Sequence, residues 1–330
     1  MRLARHCSGY REPSTQRALL QVATTVVPLI ALVATMVYLA PNYPWLTLLL
    51  ALPLGGLLVR CFIIQHDCGH GSFTASRRLN DFIGRCMSVL TVTPYGLWRR
   101  VHARHHATSG NLDKRGAGDI KTLTVAEYAK LTPVGKFNYK IYRNPLFLFL
   151  IGVPAFFLLI QRVPWFHPVA PREAWRSIIG LDLALVLVYL PLALLLGTGT
   201  MALIIIPSVV VASVAGGWLF FIQHQFEETH WSSGSDWDFQ VASVMGSSFY
   251  DLPPVLNWFT GNIGLHHIHH LNSMIPNYRL QECLAASPEL RSLNRLRFWE
   301  SLKCYRLTLW DEEKHRLIRF RDFEMQHAAG

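Results

Sequence analysis

Four stretches of the chain, residues 18–40, 45–64, 178–196 and 201–222, are almost wholly apolar. Each is about as long as a helical bilayer crossing, which takes about 20 residues. Pro41-Asn42-Tyr43-Pro44 joins the first two, and Gly197-Thr198-Gly199-Thr200 joins the second two. Both turns are short and uncharged, so the pattern predicts two helical hairpins. Arg60 falls near the end of the second stretch and is expected to snorkel to the interface. Asp182 falls at the start of the third, where a helix N-terminus tolerates negative charge. Two weaker runs need a decision. Residues 145–160 are short for a span and carry Pro154, and residues 82–98 are interrupted by Arg85, Thr91, Thr93 and Pro94. Both are read as helices lying at the interface or packed on the polar part of the protein. The first apolar run exceeds a usual signal-peptide core and has no small-residue cleavage site, so it reads as an anchor. Residues 223–330 read as a mostly helical cap, with a helix start at Ser287-Pro288-Glu289-Leu290. The expected architecture is a single domain, 1–330: an all-α integral membrane protein with four spans and a helical cytoplasmic cap over segments 65–177 and 223–330.

Composition sharpens this. Hydrophobic residues make up 51% and charged residues 16%, against roughly 25% charged in soluble domains. The net charge is +10. Arg2, Arg5, Arg11 and Arg17 lie on the same side of the predicted hairpins as Arg77, Arg78, Arg99, Arg100, Arg104 and the basic C-terminal tail. The opposite loops carry no charge. The positive-inside rule puts both termini in the cytoplasm, as in a bacterial inner-membrane protein. Such a basic face suits anionic lipid or an acidic redox partner; no nucleic-acid partner is expected. The six cysteines show no CxxC pair and read as reduced thiols.

The chemistry sits in the histidines. Nine of the fifteen fall in three five-residue windows: His66 to His70, His102 to His106 and His266 to His270. Even scattering would place fewer than one there, and each window abuts an apolar stretch. Imidazoles clustered at a membrane edge are costly unless they hold something, and a metal is the obvious candidate. His66 and His70 are four apart, which puts both on one helix face. His102, His105 and His106 repeat as His266, His269 and His270, again read as one face each. His267 breaks that facial pattern and is left out. Eight ligands are too many for one metal and suit two, each with open positions. Imidazole binds zinc, copper, iron and nickel. The cysteine-containing spacing of structural zinc is missing. His224, at the end of the fourth apolar stretch, is a ninth candidate. His230, further along and polar-flanked, is a weaker candidate, and His6, His167, His315 and His327 read as surface histidines. Asp67, Asp119, Glu227, Glu228 and Asp251 are candidate acceptors for the second ring N–H of a ligand, and Asn257 and Asn262 are candidates to hold a metal-bound water. If all windows share one site, an even number of crossings must separate them, which excludes residues 145–160 as a span.

The stretches HDCGHGSF, HARHHATSGNLDKRGAGDI, FFIQHQFE and GLHHIHHLNSMIPNYRL resemble the histidine boxes of the membrane fatty acid desaturases, with wording closest to bacterial acyl-lipid enzymes of the delta-12 or omega-6 type. The resemblance covers about residues 65–280. It implies a non-haem di-iron centre, O2 as co-substrate, and removal of two hydrogens from an acyl chain to leave a cis double bond. The box histidines map onto His66, His70, His102, His105, His106, His266, His269 and His270, and the extra histidine before the third box onto His224. Tyr95, Trp98, Phe249, Trp258 and Phe259 are candidates to line the acyl slot. With no GxGxxG and no haem-binding HPGG, electrons must come from a separate donor: a ferredoxin, or alternatively cytochrome b5. Two other readings stay open at this point. One is a hydroxylase, ketolase or alkane monooxygenase with the same boxes. The other is a histidine-rich metal transporter, although transporter ligands lie near the bilayer midplane and these histidines fall at or beyond span ends. A zinc protease would need HExxH, which does not occur.

Overall fold

The computed structural model describes residues 2–116 and 118–328, without the side chains of residues 327 and 328. The surface placement expected for His327 therefore lies outside the described residues. The first hairpin is α1 (Thr15–Leu39) and α2 (Pro44–His70). Ser14 starts α1 by accepting from the Arg17 N–H, the N-cap bond that satisfies one orphan donor. At 27 residues, α2 is roughly 40 Å long at 1.5 Å per residue, against about 30 Å of hydrocarbon. Its surplus is the C-terminal end that carries His66 and His70. Gly71, at φ 79°, ends α2 in the left-handed conformation that glycine adopts without penalty.

The interrupted run at 82–98 resolves into two helices, α3 (Arg77–Thr91) and α4 (Tyr95–Thr108), with left-handed Val92 and Pro94 at the break. The second hairpin is α5 (Pro171–Leu196) and α6 (Thr198–His224). Because α5 starts at Pro171, Asp182 lies in mid-helix rather than in the first turn. Its charge is met by Arg162, 3.6 Å away, and not by the helix dipole. Arg60 does not snorkel: it is 7% exposed and tucked beneath Trp258.

Residues Pro145–Arg162 form a broken helix that is long and apolar enough to cross a membrane, so five described helices meet that criterion, one more than predicted. Its hydrogen bonding slips to a π-turn at Leu148–Gly152, where the Val153 N–H bonds back to Leu148, next to Pro154, which has no N–H to donate. It lies against α6, and a Cβ at Gly217 would collide with Val153.

The all-α expectation needs correction. Leu123–Thr124 pairs in parallel with Leu309–Asp311, which pairs antiparallel with Arg316–Ile318; Phe249–Asp251 pairs in parallel with Arg295–Arg297. These strands are too short for a period-2 pattern to stand out, and they form because distant segments meet. The first sheet ties the tail to the loop after α4 through buried Leu309 and Trp310. The second carries the third histidine window: the Tyr250 N–H donates to Gly264 at 2.7 Å and the His266 N–H to Ser248 at 3.2 Å. The helix start at Ser287 is present, its hydroxyl accepting from the Leu290 N–H.

The tightest contact between hairpins is α2 on α6. A Cβ at Gly55 would collide with the Val211 side chain and stand 3.2 Å from the Ala212 amide nitrogen, the small-residue approach typical of membrane helices. Gly55→Ala is expected to cost about 1–3 kcal/mol by overpacking. Thermal unfolding in detergent checks this; an unchanged midpoint would contradict the contact.

Candidate metal centre

The three windows and His224 converge. Among the described residues two groups form, one of His66, His70, His102, His106 and His269, the other of His105, His224, His266 and His270. Within each group the candidate ligand atoms lie within 4.8 Å of one another. The structure thus brings together all nine predicted histidines, but it splits the windows differently from a one-face reading. His102 and His106 serve one group while His105 serves the other; in α7 (His266–Leu271), His266 and His270 part from His269. Consecutive helix residues are about 100° apart, so adjacent imidazoles such as His105 and His106 straddle the two groups. His267 is buried and outside both, with its Nε2–H donating to the Leu290 carbonyl at 3.0 Å. Burial holds its pKa down at about 4.

The hydrogen bonds decide which nitrogen each ring offers. Carboxylate and carbonyl oxygens only accept. His66 Nδ1–H therefore donates to Asp67 at 2.9 Å, His105 Nδ1–H to Asp119 at 2.6 Å, and His224 Nδ1–H to the Gly246 carbonyl at 3.1 Å. With Nδ1 protonated on a neutral ring, Nε2 carries a bare lone pair. The Nε2 atoms of His105 and His224 are 3.2 Å apart, both within the second group. Both ring nitrogens of His270 and Nε2 of His70 are buried without a hydrogen-bond partner. Burial, reinforced by neighbouring histidines, drives His102, His106, His266, His269 and His270 well below the usual histidine range. Neutral rings with unsatisfied lone pairs aimed inward fit a pair of cations.

Of the predicted acceptors, Asp67 and Asp119 do hold cluster histidines. Asp67 also takes the backbone and side-chain N–H groups of Asn277, at 2.6 and 2.8 Å. The others do not reach the cluster. Asp251 pairs with Arg295 at 2.5 Å, Glu227 with Arg316 at 3.4 Å, and Glu228 is exposed. Asn257 donates to the Leu252 carbonyl and Asn262 to the Asn277 carbonyl, so both serve loop structure.

Among the predicted slot residues, Trp98 alone touches the cluster, stacking on His102 with ring centroids 4.5 Å apart. Tyr95 turns its hydroxyl to Cys68 and Asp81, Phe249 stacks on His267, Trp258 covers Arg60, and Phe259 packs on Gly56. Sequence reasoning missed Asn277, the Gly246 carbonyl, and the aromatic wall of Phe62 and Phe157 beside Trp98. Nothing in their local spacing distinguishes them from ordinary helix and loop residues.

This geometry gives two all-histidine groups able to hold metal ions, at the ends of membrane-length helices. Comparison with known proteins places the chain in a family. The Fatty acid desaturase family matches residues 43–301. A fatty acid desaturase of Bacillus subtilis is 37% identical over 97% of this chain and 90% of its own length. Two proteins of Synechocystis sp. are more distant: an sn-1 acyl-lipid omega-3 desaturase (ferredoxin), 26% identical over 70% of this chain and 64% of its own, and an sn-1 oleoyl-lipid 12-desaturase, 25% identical over 69% and 64%. The chain belongs to the fatty acid desaturase family, and is accordingly a membrane oxidoreductase of lipid metabolism.

Proposed function

We propose that the chain, acting as one domain over 1–330, uses O2 and two histidine-held iron ions to introduce a cis double bond into an acyl chain of a membrane lipid, with delta-12/omega-6-like selectivity. The observation that carries this is the pair of histidine groups with no carboxylate in either. Two bound ferrous ions would supply electrons to O2 and the oxidising power to take hydrogen from an unactivated methylene. Overall, an acyl CH2–CH2 unit, O2, two electrons and two protons become a cis CH=CH unit and two waters. The protein's part is to hold ligands neutral, lock their tautomers through Asp67 and Asp119, and exclude water with Trp98, Phe62 and Phe157. Acyl-lipid substrates and ferredoxin are named for the Synechocystis relatives; they suit a bilayer-embedded chain with a basic polar face.

The convergence of His66 on α2 with His269 and of His105 with His224 on α6 supports a four-span topology, with the ends of α2 and α6 on one side. Parity then leaves Pro145–Arg162 as a helix that enters without crossing. Charge asymmetry makes the site side cytoplasmic, in a bacterial inner membrane.

Expression in a host lacking polyunsaturated acids, followed by gas chromatography of its fatty acids, is expected to reveal a new cis alkene. A hydroxylated product would indicate the sister chemistry, and no product would count against both. With ferredoxin as donor, docking on the basic face should weaken as ionic strength rises. A turnover rate insensitive to salt would argue against that partner, leaving cytochrome b5 as the alternative.

A further inference from the structure

A cavity of about 560 Å³ lies away from the histidines, between α1, the short helix Pro254–Phe259 that carries Trp258, and α8 (Asn277–Ala285). Arg60 of α2 lines it, 7% exposed. Its Nε–H donates to Thr25 Oγ1 at 3.0 Å, one Nη1–H donates to the Trp258 carbonyl, and the guanidinium stands 4.2 Å from the Trp258 ring centroid. Arginine has five N–H donors; these two bonds leave three, and among the described residues Arg60 makes no ion pair. A cation on a membrane-spanning helix is costly and seldom kept without a partner. No Asp or Glu lines the cavity. Arg17, the second cation there, already has Glu282 at 2.5 Å, so among the described residues Arg60 has the Trp258 ring and carbonyl but no counter-anion. Asn262 and Gln281 stand at the rim, each with one amide N–H already used, toward the Asn277 carbonyl and Asn262 Oδ1, and Leu20 and Thr24 open the cavity onto the exposed face of α1, which in a membrane protein faces lipid.

We infer that this cavity binds the phosphate of a membrane phospholipid, whose acyl chains run along the outer face of α1. The phosphodiester supplies the anion Arg60 lacks, and access from the bilayer favours a lipid over a free anion. The assignment does not depend on the reading of the metal centre. The site does touch that centre's support: Asn277, on the cavity wall, accepts from Gln21 at 3.0 Å and donates to Asp67, the acceptor of His66.

The test is native mass spectrometry of the purified full-length protein in detergent with phosphatidylglycerol, diacylglycerol or inorganic phosphate. Phosphatidylglycerol should be retained and diacylglycerol lost. Arg60→Gln should reduce retention roughly tenfold or more, as expected for losing a charge-assisted contact. Gln281→Glu, at an exposed rim position that does not endanger folding, should also weaken it by placing a carboxylate beside the phosphate. Arg85→Gln, outside the cavity, should change nothing. Equal retention of diacylglycerol, or full retention by a folded Gln281→Glu protein, would overturn the site. Inorganic phosphate displacing phosphatidylglycerol at equal concentration would show a soluble-anion site and overturn the lipid assignment.

Discussion

His106→Ala is expected to abolish desaturated product while the protein still inserts into the membrane. His106 sits centrally in the larger group, with its Nε2 3.1 Å from those of both His102 and His269. Removing it takes a ligand from one group and withdraws the ring that stacks on His270 of the other, with centroids 4.1 Å apart. Both metals should suffer. Elemental analysis of the purified variant should show less than the expected two irons per chain. Normal product and full iron content in this variant would remove the basis for the proposed centre. His267→Ala is the matched comparison. It deletes a buried histidine of the same helix that lies in neither group, so it should lower stability through the lost Leu290 contact while leaving iron content intact.

The second large effect is expected from Asp119→Asn. Asp119 sits 2.6 Å from Nδ1 of His105, and its negative charge both fixes the tautomer and makes Nε2 a better electron-pair donor. The amide is neutral and can turn its NH2 toward the ring, which favours a proton on Nε2, the atom that must stay bare. Outer partners of this kind contribute roughly 10–100-fold in metal affinity or activity. Activity measured across a ferrous-iron titration should show that loss, partly recovered at high iron. Asp251→Asn should remain near wild type, because Asp251 pairs with Arg295 on the cap. Equal effects of the two variants would mean that Asp119 acts by general stability instead.

Much of this site is legible from the chain alone because it obeys short-range rules. Spacing of four places His66 and His70 on one face, and the apolar runs put both at a helix end. What spacing does not reveal is the division of labour. His105 and His106 are neighbours in sequence yet belong to different groups, and only the tertiary arrangement of α4, α6 and α7 assigns them. The carboxylates show the same limit. Asp67 is adjacent to His66 and Asp119 is 14 residues from His105, but Asp251 and Glu227 are equally plausible by composition. In the fold those two lie opposite arginines, Arg295 and Arg316, instead of histidines. The broken helix is ambiguous for a different reason: length and hydropathy allow it to cross, and only the convergence of the histidines argues that it does not. The small strands escape notice because two- and three-residue segments carry no period of their own.

The distances along the chain between the converging rings bear on how the protein is made. His270 lies 204 residues beyond His66 (270 − 66). Ribosomes add about 5–20 residues per second, so the last of these histidines emerges about 10–40 s after the first. During that interval the first hairpin, and then α4, stand with imidazoles whose partners are not yet synthesised. Metal captured then would meet an incomplete coordination sphere, so correct loading belongs after His270 has emerged.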